Sequence, residues 1–527
     1  MRPITPQASQ MALLALLLLI VSLFVNLGLN PLHFEEPRRA LIALEMIFQD
    51  NWIVPTEAGE YYYKKPPVFN WVLIFFTKLM NSYSEFTFRL VTPLSFLLMV
   101  GLVYWMNRLY GGVRMAIYAS LLFGVSSHMY INFTRLAEID IFYSLITFAG
   151  FVSLFHFYHR QQYWLAFSNT YVFGAIGMLT KGFPSIVFLG VSIITLLLYH
   201  RDLKRLFSLA HISGGLLFCL IVGGYFALYA QYNALESYFF YMWSQASERT
   251  VLENSTWRLV QHLFTFPLTF LQHLLPASLL IIFACRRDFL KVVHENAWVK
   301  FCFYMFLSNI VVYWLSPGTR PRYVYMFYPL LVSILTYFLV KFEAEKDIRR
   351  RLFDWIAGGL IGLVALAAFS LPFIPDFAFI SPARLWTITL LAALSGVVLF
   401  GIFIKYAEYR IFVLVFTLIL VRWVVNFTVI PSLAHRGEGQ HLRDYAKRVV
   451  NIVKEEPLYL SQDTAMFLTT VFYIERERLK TLSHQYEENP KVFYISEASL
   501  VKDKDYQSFL EFSYRERKYY LLKFTFP

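Results

Sequence analysis

Acidic and basic side chains lie next to long apolar runs at five places in this 527-residue chain. The first is HFEEPRRALIALEMIFQDNWIVP, residues 33–55, in which Glu35 and Glu36 directly precede Pro37. Proline suits the first turn of a helix, and the helix dipole favours ionised carboxylates at that end. An ionised carboxylate at a membrane surface can accept a proton from a hydroxyl group. Simple capping of the helix by the two acids is the alternative.

The second place is GEYYYKKPP, residues 59–67, which sets Lys64 and Lys65 directly behind Tyr62 and its neighbours. Lysine is a compact donor to phosphate, and aromatic rings are common at the depth of lipid headgroups. The segment therefore suits either a phosphate group or a plain basic and aromatic anchor at a membrane interface.

The third place is TRLAEIDIFYS, residues 134–144, where Glu138 and Asp140 lie beside Arg135. Placing an acidic side chain in an apolar helix carries a high desolvation cost. We therefore favour a functional role over a structural one for Glu138 and Asp140. The fourth and fifth places, LTKGFPS and SPGTRPRYVYMFYPLL, add three cations and three tyrosines: Lys181, Arg320, Arg322, Tyr323, Tyr325 and Tyr328.

The composition identifies the kind of protein that must position these groups. The chain is 57% hydrophobic and only 16% charged, which excludes an ordinary soluble domain and predicts an integral membrane protein. Apolar runs of membrane-spanning length predict an all-α polytopic bundle of about 13 helices. The net charge of +12 could suggest nucleic acid, but membrane topology explains it, so no nucleic-acid partner is expected.

The distribution of Lys and Arg predicts the direction of the spans. With a cytoplasmic N-terminus, most basic residues of the connections fall on the cytoplasmic side, and all five charged places fall on the outer face. Counting residues 67–80 as a span would reverse this bias, so they are placed at the outer interface. Residues 31–88 then form one long outer loop, whose helix after Pro37 is expected to lie along the membrane.

The composition changes after residue 430. Residues 431–527 hold 15 basic and 14 acidic residues, which predicts a small soluble α/β domain behind a membrane domain of residues 1–430. Short runs such as PLYLS (457–461), VFYI (471–474) and KVFYIS (491–496) are predicted to be strands. The number of spans places this domain outside the cell.

Acids and phosphate-suited cations on one outer face suggest transfer of a group from an anionic lipid. In this order, EEPRRALIALEMIFQDNWIVP, GEYYYKKPP, TRLAEID, LTKG and PRYVYMFYP resemble the bacterial membrane glycosyltransferases that include lipid A aminoarabinose transferase and the protein O-mannosyltransferases. The resemblance spans residues 33–331. It implies a C-type glycosyltransferase fold in the bacterial cytoplasmic (inner) membrane. It also implies that a sugar moves, with inversion, from a polyprenyl-phosphate donor to an acceptor hydroxyl or phosphate.

The resemblance also implies roles for individual residues. Glu35 matches the family's catalytic base, although relatives carry Asp there, so Asp140 could take more of the work. Lys65 matches a donor to the lipid phosphate. Lys64 replaces an acid that many relatives have and that sometimes binds metal, which argues against a metal at this position; no cofactor is required. The full set of predicted site residues is Glu35, Glu36 and Asp140 for catalysis and Tyr62, Lys64, Lys65, Arg135, Glu138, Lys181, Arg320, Arg322, Tyr323, Tyr325 and Tyr328 for substrate binding.

Other functions remain as alternatives. A transporter or flippase of lipid-linked sugars would also bear outer charges, but it should show ionisable groups or broken helices near the midplane. A lipid-linked glycan ligase would share the donor chemistry with a different order of motifs. The acceptor is left open among lipid A, another glycolipid, a polysaccharide and a protein, which correspond to lipid A modification, protein glycosylation or other work on the cell envelope.

Overall fold

The computed structural model describes residues 5–247, 256–345 and 347–525, and helices dominate it. The helices are α1 Pro6–Phe24, α2 Glu36–Phe48, α3 Val68–Met80, α4 Glu85–Arg89, α5 Val91–Gly124, α6 Ile139–His159, α7 Tyr163–Lys181, α8 Pro184–Tyr199, α9 Leu209–Tyr229, α10 Leu235–Ser247, α11 Thr256–His273, α12 Ile281–Ala284, α13 Phe289–His294, α14 Ala297–Trp314, α15 Tyr328–Phe342, α16 Ile348–Ala367, α17 Pro382–Lys405, α18 Arg410–Phe427, α19 Val429–Arg436, α20 Glu438–Val453 and α21 Leu468–Arg478. Short 3₁₀ segments, such as Pro321–Phe327 before α15, join several of them. The apolar helices of the bundle share one large buried core.

The number of membrane spans differs from the predicted thirteen. Within the described ranges, nine helices are long and apolar enough to cross a membrane, or ten if one bent pair forms a single span. The hydropathy pattern predicts separate spans at residues 89–107 and 114–131, but both overlap α5, which is interrupted at Gly112 by a φ of 82°. The pattern also predicts a span at residues 268–285, which falls on that bent pair, with an angle of 107° between its halves. A hydropathy pattern detects apolar length but not such breaks, and the predicted count is not confirmed.

The connection between α1 and α5, which is predicted to lie outside and is called the outer loop below, is well structured. The 13 residues of α3 are fewer than the roughly 20 that a span needs. The helix α2 does not lie free along a surface as expected, because it packs against α3 on one side and α21 on the other. Apolar residues on more than one face of α2, such as Leu41, Ala43 and Met46, explain this burial.

A small hairpin follows α2 and approaches the site. Its strands β1 Thr56–Glu57 and β2 Glu60–Tyr61 pair antiparallel through a two-residue turn. Ala58 and Gly59 in this turn have φ values of 55° and 76°, as a type I′ turn requires. Only glycine fits the second position, since a Cβ there would lie 2.6 Å from the Cβ of Ser483 in the C-terminal part of the chain.

The C-terminal sheet domain has the predicted α/β character. Its five strands are β3 Leu458–Ser461, β4 His484–Gln485, β5 Phe493–Glu497, β6 Tyr506–Tyr514 and β7 Arg517–Phe524, in the order β4-β3-β5-β7-β6. Two of the three predicted strand runs are strands, but VFYI (471–474) lies inside α21. All four of its residues are buried, because α21 packs on both α2 and α20. Tertiary packing here overrides a local β preference.

The outer loop and the C-terminal sheet domain share one apolar core. Buried residues of α2 and α3, such as Leu44 and Phe69, join the same cluster as Phe472 of α21 and Ile495 of β5. The loop that carries the first two charged motifs is therefore held between the membrane bundle and the sheet domain.

Candidate active site

Ten of the fourteen predicted site residues line one cavity of about 180 Å³, hereafter the polar cavity. They are Glu35, Tyr62, Lys64, Lys65, Glu138, Asp140, Lys181, Arg320, Arg322 and Tyr323. Four chain segments contribute them: the outer loop, the start of α6, the end of α7 and the 3₁₀ segment before α15. Residues that are far apart in sequence thus meet at one face of the bundle, as the topology predicted.

Asp140 forms the most buried ion pairs of the polar cavity. Its Oδ1 accepts a hydrogen bond of 2.6 Å from Nζ of Lys181, and its Oδ2 lies 2.9 Å from Nε of Arg322. Lys181 also lies over the rings of Tyr143 and Tyr323, at 4.8 and 4.2 Å from their centroids. With both carboxylate oxygens occupied by cations, Asp140 is suited to holding Lys181 and Arg322 in place.

Glu138 is the second acid at this end of α6. One of its oxygens lies 2.5 Å from Nη1 of Arg322, while the other is buried without a hydrogen-bond partner among the described residues. Burial and the nearby charge of Asp140 raise the pKa of the Glu138 carboxyl to about 7, against the lowering effect of Arg322. Burial and the neighbouring Asp140 thus favour the protonated form of Glu138 more than in an ordinary glutamate.

Glu35 has the opposite electrostatic environment. Its side chain is 35% exposed, and Oε2 accepts a hydrogen bond of 2.5 Å from Arg38. Burial opposes its ionisation, but Arg38, Arg39 and Arg322 together hold the pKa of the Glu35 carboxyl below its ordinary value. Glu35 is thus an ionised carboxylate that faces the polar cavity.

Two arginines in the cavity wall were not among the predicted site residues. Arg38 bridges Glu35 and Glu57, with a hydrogen bond of 2.7 Å from its Nε to Glu57. Arg39 donates to the hydroxyl of the buried Tyr62 over 3.0 Å. The i, i+3 spacing of Glu35 and Arg38 on a helix could have indicated the first pair.

Glu36, which was predicted to take part in catalysis, does not line the polar cavity. Glu36 is fully buried and accepts hydrogen bonds of 2.7 and 2.9 Å from Arg89 and one of 2.7 Å from the backbone N–H of Ala137. The Arg89 guanidinium beside it holds the pKa of this carboxyl far below its usual range, despite the burial. Glu36 fastens the start of α2 to the loop before α6.

Three residues predicted to bind substrate also lie away from the polar cavity. Arg135 is near Glu36 and Arg89, and burial lowers the pKa of its guanidinium. The Tyr325 hydroxyl is 2.7 Å from Nδ1 of His128, and Tyr328 is fully buried. Sequence spacing could not give the direction of these three side chains.

A larger, mostly apolar groove of about 630 Å³ adjoins the polar cavity. Its walls come from α8, α14 and the segment after α14, with residues such as Val187, Val191 and Val311. The groove and the polar cavity share four residues: Lys64, Lys65, Lys181 and Tyr323. Three cations therefore lie where an apolar channel meets a polar cavity, which suits an amphiphile with an anionic head.

The polar cavity does not fit a divalent cation. In the described parts of the chain, no three His, Cys, Asp or Glu side chains are grouped as metal ligands. Glu35, Glu138 and Asp140 each pair with Arg or Lys, and the exposed Lys64 adds a further positive charge to the cavity lining.

The family model described as dolichyl-phosphate-mannose-protein mannosyltransferase matches residues 64–225. This match includes Lys64, Lys65, Glu138, Asp140 and Lys181. The match agrees with the resemblance seen in the sequence over this part of the chain.

Individual proteins are similar to this chain in fold or in sequence. The chain is similar to ArnT from Cupriavidus metallidurans bound to undecaprenyl phosphate, with a TM-score of 0.74, 17% identity and coverage of 98% of each chain. The apo structure of that ArnT gives a TM-score of 0.69 at 16% identity, again over 98% of each chain. An uncharacterized protein from Aquifex aeolicus is 28% identical over 336 residues, 62% of this chain and 73% of that protein. The predicted C-type glycosyltransferase fold, with a small C-terminal sheet domain, is confirmed.

Proposed function

We propose that the protein is an inverting glycosyltransferase that moves a sugar from a polyprenyl-phosphate donor to an acceptor. The observation that carries this proposal is the junction of the apolar groove with the polar cavity. Lys64, Lys65 and Lys181 at the junction suit the phosphate, and the groove suits the polyprenyl chain. The similar ArnT was crystallised with undecaprenyl phosphate, which supports this class of donor.

The proposed reaction is a single displacement. The acceptor oxygen attacks the anomeric carbon of the donor while Glu35 takes the proton of the acceptor hydroxyl. The bond between the anomeric carbon and the phosphate oxygen breaks, and polyprenyl phosphate leaves with the bonding electrons. Arg322, Arg320 and the three lysines at the junction stabilise the negative charge that develops on this phosphate.

The roles of the other acids follow from their contacts. Asp140 positions Lys181 and Arg322 rather than accepting the proton, since both of its oxygens are paired. Glu36 acts only through its contacts with Arg89 and the loop before α6. No metal is needed, because the lining cations already neutralise the leaving phosphate.

The location is proposed from the charge bias of the connections. The protein spans the membrane several times, and we place it in the bacterial cytoplasmic (inner) membrane with its N-terminus in the cytoplasm. The polar cavity and the sheet domain then lie outside the cytoplasm. Acceptors on that side include lipid A, other glycolipids, polysaccharides and proteins.

A transfer assay with substituted proteins tests this function. Purified full-length protein is given radiolabelled polyprenyl-phosphate sugars and a crude envelope acceptor. We expect Glu35→Gln to lower kcat by about 10²- to 10⁴-fold with the KM for donor unchanged, since only proton acceptance is lost. Asp140→Asn is expected to raise the KM for donor, because Lys181 and Arg322 lose their common partner.

Glu408→Gln serves as the matched control, since Glu408 is an exposed glutamate outside the polar cavity. Thermal unfolding verifies that each variant is folded. Full activity of Glu35→Gln would reject the proposed base. Movement of the lipid-linked sugar across vesicles without any transfer would instead identify the transporter.

A further inference from the structure

A third cavity, of about 520 Å³, lies between the β1-β2 hairpin and the sheet domain. It is called the tyrosine cavity here, because Tyr61, Tyr62, Tyr63 and Tyr241 line it. Its volume is within the roughly 300–1,000 Å³ that small-molecule sites commonly have. Of its lining residues, this cavity shares Lys64 alone with the apolar groove.

The tyrosine cavity is continuous with the polar cavity. The two share Arg38, Tyr62 and Lys64, and Arg38 is the residue that binds Glu35. Arg38 and Tyr62 do not line the apolar groove. The tyrosine cavity therefore adjoins the polar cavity on a side that the apolar groove does not line, as an acceptor site requires.

The wall of the tyrosine cavity presents accessible aromatic rings. Tyr61 is 53% exposed and Tyr241 is 46% exposed. Tyr63 is stacked on Tyr241 with centroids 5.3 Å apart and an angle of 6° between the rings, and Asn233 donates to its hydroxyl over 3.0 Å. Such fixed rings offer flat apolar surfaces on which the C–H face of a sugar ring can stack.

The polar groups of this wall suit hydroxyls better than phosphates. Two carboxylates, Glu57 and Glu60, balance two cations, Arg38 and Lys64. Arg38 is already paired with Glu57 at 2.7 Å, so it offers little free charge to an anion. His484 of β4 lies 3.7 Å from Glu60 and adds a further polar group from the sheet domain. Carboxylates and imidazoles are good partners for sugar hydroxyls.

We propose that the tyrosine cavity binds the acceptor and that the group it binds is a saccharide. This inference rests on the proposed glycosyltransferase function and names its acceptor class. The saccharide stacks on Tyr61 and Tyr241, its hydroxyls bond to Glu57, Glu60 and His484, and the hydroxyl to be modified passes Arg38 to reach Glu35. An acceptor peptide is the competing occupant.

The binding test needs no donor. Delipidated oligosaccharides, released from the envelope of the cells that make the protein, are added to the full-length protein, and contact is read by saturation-transfer difference NMR. Tryptic peptides of envelope proteins are the second probe. We expect signals from the saccharides that disappear in Tyr61→Ala/Tyr241→Ala and persist in Tyr61→Phe, which keeps the ring.

The transfer test measures the same variants with labelled donor. We expect each of Tyr61→Ala and Tyr241→Ala to raise the KM for saccharide acceptor about five- to tenfold, as loss of one aromatic contact predicts. The kcat and the KM for donor should stay near wild type. Tyr232→Ala is the matched control, since Tyr232 is 59% exposed but does not line the cavity.

The outcomes separate this inference from the proposed function. Transfer of label to peptides alone would overturn the saccharide site. An unchanged KM for saccharide and unchanged NMR signals in both alanine variants would also overturn it. Absence of any donor-dependent turnover in the wild type would instead reject the glycosyltransferase function, while the NMR measurement would still show whether the cavity binds saccharides.

Discussion

Two glutamates in the same cavity differ in protonation because their neighbours differ. Glu35 is surrounded by arginines that hold the pKa of its carboxyl below the ordinary value. Burial and the charge of Asp140 raise the pKa of Glu138 to about 7. At neutral pH the first is ready to accept a proton and the second is partly neutral. The assignment of the base therefore depends on the side chains around each acid rather than on the residue type.

The influence of Arg38 on Glu35 can be measured as a pH dependence. Arg38→Gln removes the nearest cation, so the Glu35 carboxylate loses stabilisation and its pKa rises. We expect the acidic limb of kcat/KM against pH to move to higher pH, since this profile reports groups of the free enzyme. The exposed Arg287→Gln is the control. An acidic limb at the same pH in both variants would show that Glu35 does not limit the rate.

At the scale of elements, a few buried polar contacts hold α2 in position. Glu36 at its start binds Arg89 of α4 and the N–H of Ala137. In this way the first residues of the outer loop are joined to the segment that leads into α6. These contacts of Glu36 also position the neighbouring Glu35 carboxylate near Glu138 and Asp140, although Glu36 itself does not face the polar cavity.

The Glu36–Arg89 pair should therefore be essential for stability. Both side chains are almost fully buried, at 0% and 2% exposure. Removal of one partner leaves an unpaired buried charge, which typically costs about 3–5 kcal/mol. We expect Glu36→Gln to lower the unfolding temperature strongly in detergent, and Glu36→Gln/Arg89→Gln to recover part of the loss. A double variant no more stable than the single ones would contradict this account.

At the scale of the whole molecule, the sheet domain packs on the outer loop, and two buried glutamates lie at this contact. Glu45 of α2 accepts hydrogen bonds from Thr56 at 2.5 Å and from the N–H of Ala58 at 2.6 Å. Glu475 of α21 adjoins it and is fully buried. Burial raises the pKa of Glu45 to about 7, and burial together with Glu45 raises the pKa of Glu475. Burial thus favours a proton on these carboxyls where the two parts of the molecule meet.

This proton predicts a stability that falls with rising pH. The folded protein keeps a proton on Glu45 that the unfolded chain releases near its ordinary pKa of 4.5. The stabilisation is complete below about pH 4.5 and is lost as the pH rises through about 7. We expect Glu475→Gln to reduce the change of unfolding temperature with pH between about pH 4.5 and about pH 7. The same variant should have a higher unfolding temperature than the wild type above pH 7. An unchanged slope of unfolding temperature against pH in this variant would contradict the role of this proton.

The sequence by itself determined the class of the molecule. Apolar length predicted a membrane bundle, the change of composition after residue 430 predicted the sheet domain, and five motifs in order predicted the family and most of the polar cavity. These features depend on composition and on residue types along the chain, which need no knowledge of long-range contacts.

Only the tertiary structure decided which side chains face the cavity. Consecutive residues of a helix point about 100° apart, so Glu35 and Glu36 take different surroundings, and the partner of Glu36 is 53 residues away at Arg89. The same applies to VFYI, which is helical because α2 and α20 bury it. Burial and ion pairing depend on contacts between residues that are far apart in sequence. One sequence pattern is therefore compatible with several arrangements of buried and paired side chains.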